Sequence, residues 1–150
     1  MMSKRRIMLV SYILLLVAIV LGCSKSATTE GLFSEPPDVV GFIDEKEILF
    51  IKGSYQWDHA IADAPSPDNL VKDTAVYVVK PNSELTLTFK GEEPQEISAG
   101  LWVNQNFTPL PRVKDTILLP DKPGIYVLSI GAKWSGDDRG SYAAAIEVID

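Results

Sequence analysis

The sequence predicts an all-β protein, an antiparallel β-sandwich of immunoglobulin-like or related topology with about eight short strands. Three observations carry that expectation. From Val39 onward, short apolar runs alternate with clusters of Gly, Pro, Asn and Asp. Several runs place apolar and polar residues in strict alternation, the signature of a half-buried strand. No apolar pattern of helical period is long enough to span three turns.

The first element is not part of that domain. Lys4, Arg5 and Arg6 precede residues 7–21, which are apolar apart from Ser11 and Tyr12, and Gly22-Cys23 ends the run. A basic start, an apolar middle and a small-residue end make the layout of an export signal. About fifteen apolar residues fall short of the roughly twenty that a spanning helix needs, so a cleaved signal over residues 1–22 is expected rather than a retained anchor. Val20-Leu21-Gly22-Cys23 resembles the bacterial lipobox. There a small residue lets the peptidase reach the bond before the cysteine, and the thiol receives the lipid. Leu21 departs from the small residue that is commoner at its position. Cys23 is also the only cysteine in the chain. Lipidation at Cys23 is therefore the sharpest expectation, and it places the protein at the extracytoplasmic face of the cell membrane. Two or three acyl chains such as palmitate, at about 0.8 kcal/mol per buried methylene, hold a protein there durably. Residues 23–37 continue with "SKSATTEGLFSEPP", too polar and too small to bury a core, and are expected to form a flexible tether.

The folded domain is expected over residues 38–150. Its candidate strands are 39–43, 47–55, 75–80, 84–90, 96–103, 116–119, 124–134 and 141–149. Leu85, Leu87 and Phe89 share one face, with Thr86 and Thr88 on the other. Tyr126, Leu128, Ile130, Ala132 and Trp134 share a face, as do Tyr142, Ala144, Ile146 and Val148. Turns are signalled by Pro81-Asn82, Lys90-Gly91, the stretch 120–124 and the stretch 135–140.

Composition excludes more than it includes. The signal takes three of the fourteen basic residues and none of the twenty acidic ones, which leaves the rest with a net charge near −9. Such a surface repels phosphate backbones, so no nucleic-acid partner is expected. All three methionines and the cysteine lie at or before position 23, and there is a single histidine. A thiol nucleophile, a disulfide and a metal site built from Cys, Met or several His residues are thereby excluded from the domain. No GxSxG, HExxH or phosphate-loop pattern occurs. No cofactor is expected and the chain does not read as an enzyme.

Four aromatic residues are the candidate binding groups: Tyr55, Trp57, Trp102 and Phe107. Tyr55 and Trp57 share a strand face, where they form either a stacking platform for a sugar or peptide or a plug at the end of the core. Gly53 beside them allows a bend or a close neighbour. Trp102 has parity opposite to Leu101 and Val103 and, with Asn104, Asn106 and Phe107, outlines a possible patch. Asp58-His59, with Ser54 or Ser66, has no triad spacing and reads as a loop pair. "ADAPSPDNLV" lacks the ligand spacing of a calcium loop and reads as a turn that Leu70 and Val71 tuck against the sandwich. "SGDDRGS" (135–141) reads as a hairpin tip, with a cation contact at Asp137 and Asp138 as its sharper alternative.

The pattern Gly53-Ser54-Tyr55-x-Trp57, then Ala62-Asp63, Pro67 and Leu70-Val71, resembles small exported lipoproteins of Gram-positive bacilli that carry a GSYxW motif. The similarity extends to the Trp134–turn–Tyr142 hairpin and spans about half of the exported part. Relatives can carry a cysteine between the tyrosine and the tryptophan; Gln56 stands there in this chain, so no disulfide is carried over. The resemblance implies export and a β-fold and brings no activity with it. The expectation that follows is a non-catalytic, lipid-anchored module of the cell envelope that binds a protein, peptide or glycan. The alternative is an accessory or inhibitory protein that docks on a membrane complex or protease.

Overall fold

A computed structural model describes residues 34–150; the signal segment, Cys23 and most of the proposed tether lie outside the described residues. In chain order the elements are β1 (Val39–Ile43), β2 (Lys46–Leu49), β3 (Ile51–Trp57), β4 (Ala60–Ala62), the short helix α1 (Pro67–Val71), β5 (Val76–Val79), β6 (Glu84–Phe89), β7 (Glu96–Val103), β8 (Asn106–Pro109), β9 (Arg112–Val113), β10 (Thr116–Leu118), β11 (Gly124–Lys133) and β12 (Arg139–Val148). They form two sheets. One runs β2-β1-β6-β10-β9; the other runs β4-β3-β12-β11-β7-β8, with β5 added against β12. One hydrophobic cluster draws side chains from both sheets, which makes the molecule an all-β sandwich.

The inward faces are those that the alternation predicts. Leu85 and Phe89 of β6 are buried, as are Leu128, Ile130 and Ala132 of β11 and Tyr142, Ala144, Ile146 and Val148 of β12. β11 and β12 pair over their full length, from Gly124 opposite Val148 to Lys133 opposite Arg139, and form the spine of the larger sheet. At the end of that hairpin Trp134 is 1% exposed. Its indole N–H donates to the Glu92 carbonyl at 2.8 Å. Trp57 meets it edge-on at 5.0 Å between ring centres, and Phe89 does so at 5.7 Å from the opposite sheet.

The strand expected over 47–55 is two strands. Phe50 marks the crossing: β2 pairs with β1 in the smaller sheet, whereas β3 pairs with the first half of β12 in the larger. β3 leaves β12 at Ile51, opposite Ala143, and β5 takes the vacated edge from Val76, opposite Ala145, running parallel. The short edge strands β4, β8 and β9 and the helix α1 carry too few residues for a period to register, and the alternation did not predict them. Three tight hairpins have left-handed central pairs without glycine: Asp44-Glu45, Asp58-His59 and Asn104-Gln105. This twist matches that of the flanking strands, which is why two-residue hairpins adopt it.

The last residues assigned to the tether belong to the sandwich. Pro36 is fully buried. The Tyr142 hydroxyl donates to the Pro37 carbonyl at 2.7 Å. Lys52 reaches Glu35 at 3.3 Å and Asp38 at 3.1 Å. The domain therefore begins at about Glu35. Burial, then the charges of Asp38 and Glu35, push the Tyr142 phenol well above the usual tyrosine range.

Two outcomes follow for Tyr142. Tyr142→Phe leaves the Pro37 carbonyl without its donor and lowers stability by about 1–2 kcal/mol in urea unfolding, with earlier proteolysis before Val39. Because the folded pKa is raised, the contribution of the phenol is complete below about pH 10 and is lost as pH rises through the folded value. In an absorbance titration at 295 nm this tyrosine ionises last, together with alkaline unfolding.

Candidate functional site

The outward face of the larger sheet divides into a covered half and an open half, and the residue sizes along each strand explain why. On β12 the outward positions Ala143 and Ala145 are small, so α1 can lie directly on the strand. Leu70 and Val71 of α1 pack there against Ala143, Ala145 and Val127. Pro67 opens the helix, where its missing N–H costs nothing. Gly53 completes the seat: a Cβ there would come within 2.6 Å of Ser141 Oγ and 3.5 Å of Leu70. Leu70 and Val71 do tuck the segment down, as the sequence predicts.

Trp102 and Phe107 continue the covered half. They face each other across the β7–β8 hairpin. The Phe107 ring lies over Gly100, where a Cβ would sit 2.7 Å from it. Trp102 is half-buried and its Nε1 is enclosed without a hydrogen bond of standard geometry. Asp68 of α1 is held below the usual carboxylate range, first by the Ser66 hydroxyl, then by its own and Asn69's backbone N–H and, weakly, by the Trp102 indole, with desolvation opposing them. The indole acts there as a nearby dipole rather than a bonded donor. What Asp68 adds to seating α1 is present above about pH 4 and is lost as pH falls through its lowered value.

The open half is a groove that crosses the strands. Register places Ser98 of β7 beside Gly131 of β11 and Gly131 beside Ser141 of β12. This row of small residues forms the floor, with Ser54 beside it. The next row outward is Glu96, Lys133, Arg139, Gln56 and Ile61, each opposite its neighbour on the adjoining strand. It forms a polar rim that ends on Ile61, which is 74% exposed. Asp63 and Tyr55 complete the lining, and the space enclosed is about 580 Å³.

The floor is held by its own hydroxyls. Ser141 Oγ donates to the Ser54 carbonyl at 2.9 Å, and Ser54 Oγ accepts from the Ala64 N–H at 2.9 Å. On the rim, Arg139 donates to the Gln56 side-chain oxygen at 2.8 Å. Lys133 lies 4.0 Å from Glu96, with both side chains more than half exposed.

The four aromatic candidates thus separate. Trp57 is partly buried against the core, edge-on to Trp134. Tyr55 lines the groove, while Trp102 and Phe107 belong to the covered half beside it. Asp58 and His59 form the exposed tip of the β3–β4 hairpin, and the Asp58 N–H is accepted by Asp138 Oδ1 at 3.0 Å. Asp138 is thereby committed to bracing two hairpin tips. Among the described residues no group of three or more His, Cys, Asp or Glu is placed to hold a metal ion, and no helix is long and apolar enough to cross a membrane. Lys133 and Arg139 were not singled out by sequence. Their only sequence signal is that both flank the Trp134 turn at positions that pair in a tight hairpin.

No family model, curated protein or solved structure matches this chain.

His59 adopts φ 69° at the hairpin tip, a conformation that costs a non-glycine residue about 1 kcal/mol. His59→Gly is therefore expected to raise stability by about that amount and Tm by a few degrees, measured by thermal unfolding. A triad role for His59 predicts instead a loss of function in the same variant.

Proposed function

We propose that this chain is a lipoprotein anchored through Cys23 at the extracytoplasmic face of the membrane, and that its sandwich is a non-catalytic binding module of the cell envelope. The groove across the larger sheet carries this reading. Its volume of about 580 Å³ falls within the range of ligand sites. Its floor of Ser54, Ser98, Gly131 and Ser141 offers flat contact and hydroxyls, and its rim supplies charge. A ligand lying across several strands touches side chains whose positions the sheet fixes, which is the rigid support that recognition needs.

Non-catalytic binding is favoured over hydrolysis by the state of the candidate nucleophile. Ser54 Oγ lies in the groove and is engaged by the Ala64 N–H; among the described residues no hydrogen bond joins it to His59. An unactivated serine hydroxyl is a poor nucleophile.

Ser98 is exposed on the groove floor and outside the core. Ser98→Tyr fills the groove, and we expect it to fold with the Tm of the wild type yet lose retention of purified envelope polysaccharide and peptide fractions. Retention equal to wild type overturns the groove as the site. For the anchor, Cys23→Ser is expected to shift the protein from the membrane pellet to the soluble fraction with no incorporation of labelled palmitate. A variant that still partitions with membranes removes the lipid from the proposal.

A further inference from the structure

We infer that the ligand of this groove is an extended glycan whose sugars carry spaced carboxylates, one of which seats between Lys133 and Arg139. The inference rests on the groove being the binding site and names its ligand class.

The register of the β11–β12 hairpin sets Lys133 directly opposite Arg139. Both side chains are exposed and face the groove. Like charges directly opposite on paired strands destabilise a hairpin, so the fold gains nothing from this arrangement. Their surroundings do not neutralise them. Glu96 lies 4.0 Å from Lys133, with the two side chains 74% and 55% exposed, a separation and exposure at which an ion pair contributes almost nothing. Arg139 bonds the neutral Gln56, and among the described residues no carboxylate lies within ion-pair distance of it. One guanidinium N–H is used by Gln56, and the others remain to take a carboxylate in paired hydrogen bonds, with the Lys133 ammonium beside it.

The floor distinguishes a glycan from a peptide. Ser54 Oγ accepts one hydrogen bond and keeps its own O–H to donate; Ser141 Oγ donates and keeps its lone pairs to accept. Donors and acceptors side by side suit a chain of vicinal hydroxyls. β11 and β12 are paired on both sides beneath the groove. Along the first half of β7, which β8 does not reach, the Ile97 and Ala99 carbonyls already accept from the Arg112 guanidinium and the Leu110 N–H, so little backbone is open to an added peptide strand. Charge then limits how densely the ligand is ionised. Asp63 and Glu96 flank the two cations in the groove, and the exported part carries a net negative charge. A polymer with a carboxylate on every unit meets repulsion at both ends of the groove, whereas one that alternates acidic and neutral sugars does not.

The experiment is calorimetric titration of the full exported chain at low salt. The probes are hyaluronan oligosaccharides, which alternate acidic and neutral sugars, chito-oligosaccharides, which are neutral, polygalacturonate and poly-L-glutamate. We expect hyaluronan oligosaccharides to bind best, with affinity about tenfold or more weaker in Lys133→Gln and in high salt. Unliganded Lys133→Gln is expected to unfold at or above the wild-type Tm, because the like-charge pair is relieved while the Arg139–Gln56 bond remains. That separates a lost ligand contact from a damaged fold. Equal affinity for chito-oligosaccharides, or unchanged affinity in Lys133→Gln, overturns the carboxylate seat while leaving the groove as a site. Tighter binding of poly-L-glutamate assigns the groove to acidic peptides and overturns the glycan. If no glycan binds and Ser98→Tyr also leaves envelope retention unchanged, the groove itself is overturned.

Discussion

The Trp134 indole is the contact on which the rest of this structure depends. It stands where the longest hairpin turns, and it touches every layer. Trp57 meets it from the same sheet and Phe89 from the other, both edge-on, and Phe89 meets Tyr142 in the same way at 6.1 Å. Tyr142 in turn holds Pro37 and so the start of the domain. Edge-to-face pairs each add about 0.5–1.5 kcal/mol beyond the area they bury. Their greater effect here is geometric, since the four rings, joined in the order Trp57–Trp134–Phe89–Tyr142, leave the two sheets a single spacing and a single register at this end. The indole N–H is satisfied by the Glu92 carbonyl, which ties the β6–β7 connection to the same centre.

That packing also sets what the outer face of the larger sheet can be. With Trp57, Trp134 and Tyr142 turned inward, period two sends Gln56, Lys133, Arg139 and Ser141 outward onto one surface. β3, β11 and β12 are fixed to one another by the aromatic centre, so the groove inherits a rigid floor from the core behind it. The covered half is a consequence of residue size. Ala143 and Ala145 admit α1, and Gly100 admits the Phe107 ring, so the apolar part of the face is roofed by the chain itself. Where the outward residues are serine, glycine and long charged side chains, nothing among the described residues covers them.

The sequence was legible wherever an element was long enough for its period to repeat. The faces of β6, β11 and β12 were evident because three or more same-face positions agreed in each. The crossing at Phe50 was not, because Ile48 to Ile51 is one continuous apolar run with no turn residue to mark a change of partner. β4, β8 and β9 are two to four residues long and mostly exposed, so burial never patterned them. Tyr55 and Trp57 have the same parity and looked alike, yet only Trp57 is packed against the core cluster. The difference lies in what sits opposite them, which is a long-range fact.

By itself the sequence determined the class of the protein. Alternation and turn residues demanded a sheet protein, the absence of cysteine and methionine beyond position 23 removed whole families of chemistry, and Leu70 and Val71 were committed to the sandwich by their apolar character. These are properties of single residues and near neighbours, which a linear reading captures. Only the tertiary structure decided where a ligand could lie. The groove is made of rows that run across strands from β7 to β4, so its neighbours Glu96, Lys133, Arg139, Gln56 and Ile61 are adjacent through hydrogen-bond register and distant along the chain. Register is set by the packing of the opposite face, and no local pattern contains it.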